Sequence, residues 1–358
     1  MNRHYYGLIL AGGRGTRFWP RSRKRSAKQV LNVVGERSLI QSTVDRLAAV
    51  IPPERIWVLT NGDLRHTIIR QLPEVPRKQI LAEPLQRNTA PAIGLAAQIL
   101  YSLDPDAVMG VFPSDHVIGK VPLFRKVVES AFRYAAGGSL MVVGIQPRWP
   151  ETGYGYIEFP RGSRPGASAA LPVREFHEKP ALPKAKRYLA AGNYYWNSGM
   201  FFWRAGVLLD QLRQHLAGTA TVLASLPRFG ARNFNAKLKT AFPLCDNISI
   251  DYAVLEKASG VRGIAAADFG WNDVGSWNAV YQLLEPDSHG NVIALESICL
   301  DSHNNFVDAR GKLVALVGVK DLIIVDTPDA LLIASRARAQ QVGDIVKALE
   351  KQNRHDLL

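Results

Sequence analysis

The chain has 358 residues, 47% of them hydrophobic, a formal net charge of +13 and two cysteines. This length holds one large domain with an appendage, or two domains, and the apolar fraction suffices for a full core. The charge admits nucleic acid, an anionic membrane or acidic small substrates as partners, but no run approaches the ~20 apolar residues of a membrane span, and Cys245 and Cys299 match no metal or redox spacing,.

The apolar run near the N-terminus is too short for a signal peptide, and glycines follow it at once, so a reducing, cytoplasmic setting is expected,. That run, YYGLILA at 5–11, reads as a buried parallel strand feeding a loop,. The loop carries seven cations and no acid: Arg14, Arg17, Arg21, Arg23, Lys24, Arg25 and Lys28. Ser38 can cap a helix to about residue 50, with Leu39, Ile40, Val44 and Leu47 on one face,. Strands are expected at 55–60, 79–84, 107–112 and 139–145, and an apolar helix capped by Asn88 or Thr89 runs through Leu100,. PRGSRPGASAALP at 160–172 reads as a mobile surface loop,. A milder cationic run, Arg228, Arg232, Lys237 and Lys239, reads as a solvated helix face,.

Alternating strands and helices predict an α/β fold, a doubly wound, mostly parallel sheet. Ligands bind such sheets outside the carboxyl ends of the strands, where AGGRGTR, EPLQRNTAP and PSDH all fall,. From about Asn291 short apolar runs follow one another closely: VIALES, FVDA, KLVALVGV, DLIIVDT and ALLIAS, with turn signals at 304–305, 310–311 and 328–329. They indicate a small C-terminal β appendage, for which a coiled β-solenoid (β-helix) is a fitting arrangement, closed by a helix over 337–352. The expected domains are 1–285 and 286–358.

Two familiar phosphate loops are set aside. Gly13-x-Gly15 is followed by Phe18 where a dinucleotide fingerprint needs a third glycine, and Arg17 or Phe18 stands where a Walker loop needs its second,. What remains is a glycine turn whose N–H groups can approach an anion, with Arg14 and Arg17 beside it and Lys28 further on. A tight turn with merely solvated arginines is the alternative.

The windows AGGRGTRFWP…KQ, EPLQRNTAPAI, FPSDH, TGYGYIE, FHEKP, YYWNSGMF, GWNDVGSW and GVKDLIIVDTPDALLI occur in that order. In this combination the sequence resembles the mannose-1-phosphate guanylyltransferases (GDP-mannose pyrophosphorylases) of the sugar nucleotidyltransferase family, from about Tyr5 to Ala334. The resemblance implies a Rossmann-like nucleotidyltransferase fold with a mixed sheet, and transfer of GMP from GTP to α-D-mannose 1-phosphate with Mg2+ as cofactor. It implies that Asp115 and Asp273 hold the metal, as hard carboxylate ligands beside phosphate oxygens; capping a turn is what such aspartates otherwise do. Nucleotide contacts are implied for Leu10, Ala11, Gly12, Gly13, Arg14, Gly15, Thr16 and Ser114, with Glu83, Arg87, Asn88 and Thr89 as candidates for reading guanine. Asn88 and Thr89 could equally be only the helix cap. Arg17 would grip the β- and γ-phosphates, Lys28 would offset charge at the transferred phosphate, and Lys179 would bind the sugar phosphate. Glu178, Asn197 and the backbone of Gly155 would contact the sugar.

Trp196, Trp271 and Trp277 read as packing rather than stacking platforms. The family usually has proline before the lysine of its Lys-Gln pair; Ala27 removes that ring, and a more mobile loop is expected. Much of the positive charge is expected to face polyanionic substrates. The expected partners are GTP and mannose 1-phosphate, with neither nucleic acid nor membrane. A homo-oligomer such as a dimer is expected if the β tail presents an edge to another copy. Longer family members carry a phosphomannose isomerase domain; with Leu358 as the last residue, a single activity is expected. The rival readings are a transferase for another sugar 1-phosphate and a non-catalytic sugar-nucleotide sensor on the same fold.

Overall fold

A computed structural model describes residues 2–166, 168–293, 296–309 and 311–358. The first apolar run forms β1 (Tyr5–Ala11), in which Leu8 and Ile9 are both fully buried but enter different cores. This is the outcome for a strand covered on both faces, since successive side chains point to opposite sides. β1 pairs in parallel with β2 (Ile56–Asn61) and β4 (Val108–Pro113), and β2 with β3 (Ile80–Glu83). The sheet continues beyond β4 through the remaining strands β5 (Val117–Ile118), β6 (Met141–Ile145), β7 (Tyr156–Glu158), β8 (Leu171–Pro172), β9 (Glu175–His177), β10 (Tyr194–Arg204), β11 (Arg262–Ala266) and β12 (Trp271–Asn272), with β5 and β12 set apart as a small antiparallel pair. The main order is β3-β2-β1-β4-β10-β6-β11-β8.

Helices α1 (Leu39–Leu47), α2 (Gly62–Gln71) and α4 (Val121–Ala136) lie over the face that Ile9 enters, and α3 (Thr89–Leu103) over the other. The doubly wound α/β reading therefore holds, as a mixed sheet. Ser38 begins α1 with a reciprocal capping box involving Gln41,. The helix stops three residues short of the expected end, where the N–H groups of Val50 and Ile51 both return to the carbonyl of Leu47.

β10 runs antiparallel between β4 and β6, and YYWNSGMF lies within it. Its register shifts between Asn197 and Phe201, with Gly199 at φ +70°. A bulge of this kind re-aims one side chain, and here that side chain is Asn197. The stretch at 160–172, read as mobile, is tied to the sheet instead: Gly166 donates to Ala265, Ala267 donates to Gly166, and Leu171–Pro172 forms β8. Ala167 of that stretch lies outside the described residues. The later helices are α5 (Leu182–Ala191), α6 (Ala205–His215), α7 (Ala217–Ala224), α8 (Phe234–Ala241) and α9 (Trp277–Leu283). Lys237 and Lys239 sit exposed on α8, with Arg228 and Arg232 exposed just before it.

The C-terminal runs form β13 (Val292–Ile293), β14 (Ser297–Leu300), β15 (Phe306–Asp308), β16 (Val314–Val317), β17 (Leu322–Thr327) and β18 (Ala330–Ser335). Parallel pairing of β13 with β15, β15 with β17, and β14 with β16 makes the coils of a β-solenoid. Buried Asn291 and Asn305 stack at one corner: Asn305 donates from N and Nδ2 to Asn291 Oδ1, and its own Oδ1 accepts from Leu322 N. The run VIALES and the turn at 310–311 fall partly outside the described residues. β18 turns back antiparallel to β17 and ends the coil.

The closing helix is shorter than expected. Residues Arg336–Gln341 form 3-10 turns broken at Arg338, and α10 occupies only Val342–Lys351. Anchoring of Arg336 to Asn278, to the Asn304 carbonyl and over the Tyr281 ring sets that first part and overrides helix propensity,. A third core joins Phe18, Trp19, Leu31, Val274 and Trp277 to Phe306, Ile323, Val325, Val342 and Val346. At ~1.5–3 kcal/mol per buried large apolar side chain, this is a shared core and not a contact between separate bodies.

Candidate active site

The loop after β1 turns its carbonyls into the protein. Gln29 Nε2 donates to the carbonyls of Ala11 (2.8 Å) and Gly13 (3.0 Å), Gln86 Nε2 to that of Gly12, and Ser22 Oγ to that of Arg14 (2.7 Å). Among the described residues the N–H groups of Gly13, Arg14 and Gly15 make no hydrogen bond. A turn with held carbonyls and open amides is an anion cradle. Gly15 is required for it: φ is +63°, and a Cβ there would stand 2.5 Å from Lys28 Cβ,. Ala27 is buried in a proline-like conformation (φ −71°, ψ 163°) just before Lys28. Packing of Ala27 into the core holds this backbone where a proline ring would otherwise set it.

Asp115 follows β4 and Asp273 follows β12; pairing of β12 with β5 brings the two loops together. Buried Lys28 joins them, its Nζ donating to Asp115 Oδ2 (2.8 Å) and to the Asp273 carbonyl (2.6 Å). Burial pushes the Asp115 carboxyl up, but the charge and hydrogen bond of Lys28 work against it, and the carboxyl lies below the ordinary range,. Tyr154 OH donates to Asp273 Oδ1 at 2.6 Å. Burial first, then Asp273, drives this phenol far above its usual value, so it stays a donor. Asp273 is aimed by Val274, a β-branched residue at φ +48° whose N–H is held by Asn272 Oδ1 (2.7 Å); strain of this type is found where structure over-determines a site. Burial pulls His116 down to about 4, and its neutral ring accepts from Trp271 Nε1. Ser114 is buried behind the acids, its N–H on Leu10 and its carbonyl on Thr43 Oγ1.

Just before β7, a Cβ on Gly155 would meet Glu178 Oε2 at 2.5 Å and Asn197 Cβ at 3.3 Å, so a side chain there would displace the Glu178 carboxylate. Asn197 N donates to the Gly155 carbonyl (2.8 Å), and Lys179 Nζ pairs with Glu178 Oε1 (3.0 Å). Lys179 adopts φ +45°. Asp251 joins them and was missed: it accepts from Asn197 Nδ2 at 2.9 Å, and burial, then the Glu178 carboxylate, push it up to about 6. A lone acid in the apolar stretch NISIDYAV was the signal. A cavity of about 640 Å³ is lined by Arg17, Tyr154, Lys179, Trp196, Asp273 and Gln340, among others.

The base-side candidates divide. Glu83 lies beside the loop, 3.7 Å from where a Gly12 Cβ would be, and burial pushes it up to about 8. Asn88 caps α3, Thr89 Oγ1 accepts from Ile250 N, and Arg87 turns away to the Pro243 carbonyl. Trp196, Trp271 and Trp277 are buried.

The cationic loop is not chiefly turned toward ligand. Arg14 pairs with Glu350, Arg21 with Asp308 and Arg23 with Asp329, so three of the seven cations meet C-terminal acids, while Arg17 faces the cavity. The expectation that much of the charge is aimed at substrates is corrected accordingly.

Residues 6–289 match the family model described as Nucleotidyl transferase, and 295–349 that of the MannoseP isomerase/GMP-like beta-helix domain; the chain belongs to the nucleotidyl transferase family. Chemistry in this family generally employs a divalent metal ion. Within it the chain is 39% identical to the mannose-1-phosphate guanylyltransferase of Escherichia coli, across 98% of this chain and 74% of that one. It is likewise 39% identical to the alginate biosynthesis protein AlgA of Pseudomonas aeruginosa, across 98% and 73%. A Thermus thermophilus structure described as a mannose-1-phosphate geranyltransferase superposes with a TM-score of 0.85 at 32% identity, covering 97% of this chain and 99% of that one. The chain spans about three quarters of the length of these curated relatives. Among the described residues no helix is long and apolar enough to cross a membrane.

Proposed function

We propose that this chain transfers GMP from GTP to α-D-mannose 1-phosphate, giving GDP-mannose and pyrophosphate. The observation that carries the reading is the convergence at one cavity of Arg17, Asp273 and Lys179, with Lys28 tying Asp115 to Asp273. The triphosphate lies on the open amides of Gly13 to Gly15, with Arg17 on its β- and γ-phosphates. Asp115 and Asp273 form an all-oxygen donor set fitted to a hard cation; they would hold Mg2+, which would supply neutralisation of phosphate charge.

A phosphate oxygen of mannose 1-phosphate attacks the α-phosphorus in line, forming the new P–O bond as the bond to the β-phosphate oxygen breaks. The nucleophile is already an anion, so neither a general base nor a covalent intermediate is needed. Lys179 holds the sugar phosphate and Lys28 offsets charge at the α-phosphate, so the chain works by aligning two repelling anions. Glu178, Asn197, Asp251 and the Gly155 backbone hold sugar hydroxyls, and Glu83 reads guanine.

Catalysis is assigned to residues 1–285 and support to 286–358, in the cytoplasm. A dimer is part of the reading: Ile298, Leu300 and Val317, 52%, 58% and 67% exposed, make the outer face of β14 and β16 apolar,. Light scattering of the parent and of Leu300→Glu reads that assembly.

The deciding assay is pyrophosphate release with Mg2+ and mannose 1-phosphate, comparing GTP, ATP, UTP and dTTP, and glucose 1-phosphate as the alternative acceptor. Release with GTP and mannose 1-phosphate, lost in Asp115→Ala, is expected. Retained GDP-mannose binding without release from any triphosphate would instead mark a sensor.

A further inference from the structure

Among the described residues the C-terminal segment reaches the cavity at Gln340. Its Oε1 accepts from Arg17 Nη1 at 2.6 Å, and both residues line the cavity. We infer that Gln340 is a positioning residue of the reaction, holding the Arg17 guanidinium toward the triphosphate from the far end of the chain; this rests on the reading of Arg17 as the triphosphate grip.

The backbone on either side is immobilised. Arg336 is held by Asn278 (3.0 Å) and the Asn304 carbonyl (2.9 Å). Ala339 and Val342 are buried in the third core. Gly343 lies against the phosphate loop, where a Cβ would stand 3.4 Å from Thr16 Oγ1 and 3.5 Å from Arg17 Cγ. Gln340 is exposed between these anchors, so its side chain is free to serve the cavity and is not needed for the core.

The choice of an amide is physically specific. A guanidinium only donates, so the contact requires the amide oxygen to face it. A neutral acceptor orients Arg17 without cancelling its charge, and most of its N–H donors stay available to phosphate. Glu350, by contrast, neutralises the neighbouring Arg14. A carboxylate at 340 would do the same to Arg17 and would also repel the triphosphate.

The test uses the full chain with Gln340→Met, which keeps length and removes the acceptor, and Gln340→Glu, which keeps the acceptor and adds charge. Pyrophosphate release is followed with GTP and mannose 1-phosphate varied separately. For Gln340→Met, kcat/KM for GTP falls about tenfold, as for loss of a hydrogen bond to a charged group, while KM for mannose 1-phosphate stays within about twofold. Gln340→Glu falls at least as far, and both variants keep the parent melting temperature. An active parent with both variants within about twofold in kcat/KM for GTP overturns the inference alone, as does an equal loss toward both substrates. A parent that releases no pyrophosphate overturns the guanylyl-transfer reading itself, and the inference with it.

Discussion

Burial pushes the Glu83 carboxyl up to about 8, so the unliganded chain holds it protonated at neutral pH. Its folded-state value lies above its ordinary one, so its contribution to stability is full below about 4.5 and is lost as pH rises through about 8,. Guanine offers N1–H and N2–H donors to the ionised form, so GTP binding at pH 7 releases about one proton. Calorimetry in buffers of different ionisation enthalpy measures this; the same release from Glu83→Gln would refute the assignment. Asp251, raised to about 6, follows the same sign for stability but the opposite sign for function. As pH falls through about 6 it loses the charge that accepts from Asn197 and from sugar, so kcat/KM for mannose 1-phosphate declines with a midpoint near 6. Asp251→Asn lacks that limb and loses roughly tenfold or more in kcat/KM at pH 7.5. At this scale the sequence was legible where a motif is local. The acids in PSDH and WNDVGSW stand at loop positions that short windows can mark. Tyr154, Asp251 and Gln340 take their roles from partners 119, 54 and 323 residues away, which no window contains.

Among the elements, those with one clean period were readable, and those set by tertiary anchors were not. β1 to β4 and β6 are short apolar runs between turn signals,. β10 carries a bulge and a polar Asn-Ser-Gly interruption, which hid an eleven-residue central strand inside a motif read for its chemistry. The last helix was overestimated because the anchors of Arg336 break it at Arg338. The turn before Lys28 offers a test at this scale. Ala27 already holds φ −71°, and its N–H makes no hydrogen bond among the described residues, so Ala27→Pro restricts the unfolded chain at little native cost. A gain of about 0.4–1 kcal/mol is expected in chemical denaturation, with activity retained; destabilisation would mean that the buried ring does not fit.

For the molecule as a whole, the solenoid and α10 act as the outer wall of the phosphate loop. Their ion pairs differ in worth. Arg21 and Asp308 are 14% and 10% exposed, Arg14 and Glu350 are 43% and 41%. Asp308→Ala, which leaves the shielded Arg21 its neutral partner Asn32 but no counter-charge, is expected to cost about 3–5 kcal/mol, and Glu350→Ala less than about 1 kcal/mol. Equal costs in urea titrations would contradict this ranking.

The indole of Trp19 donates to the carbonyl of Leu357, 338 residues later, and Arg14 waits for Glu350. On a ribosome the loop is made more than 300 residues before its last partners. A nascent chain can thus complete its sheet while its triphosphate cradle still lacks a back wall. That wall is in place only when residues 340–357 have left the exit tunnel, and shorter nascent chains lack it.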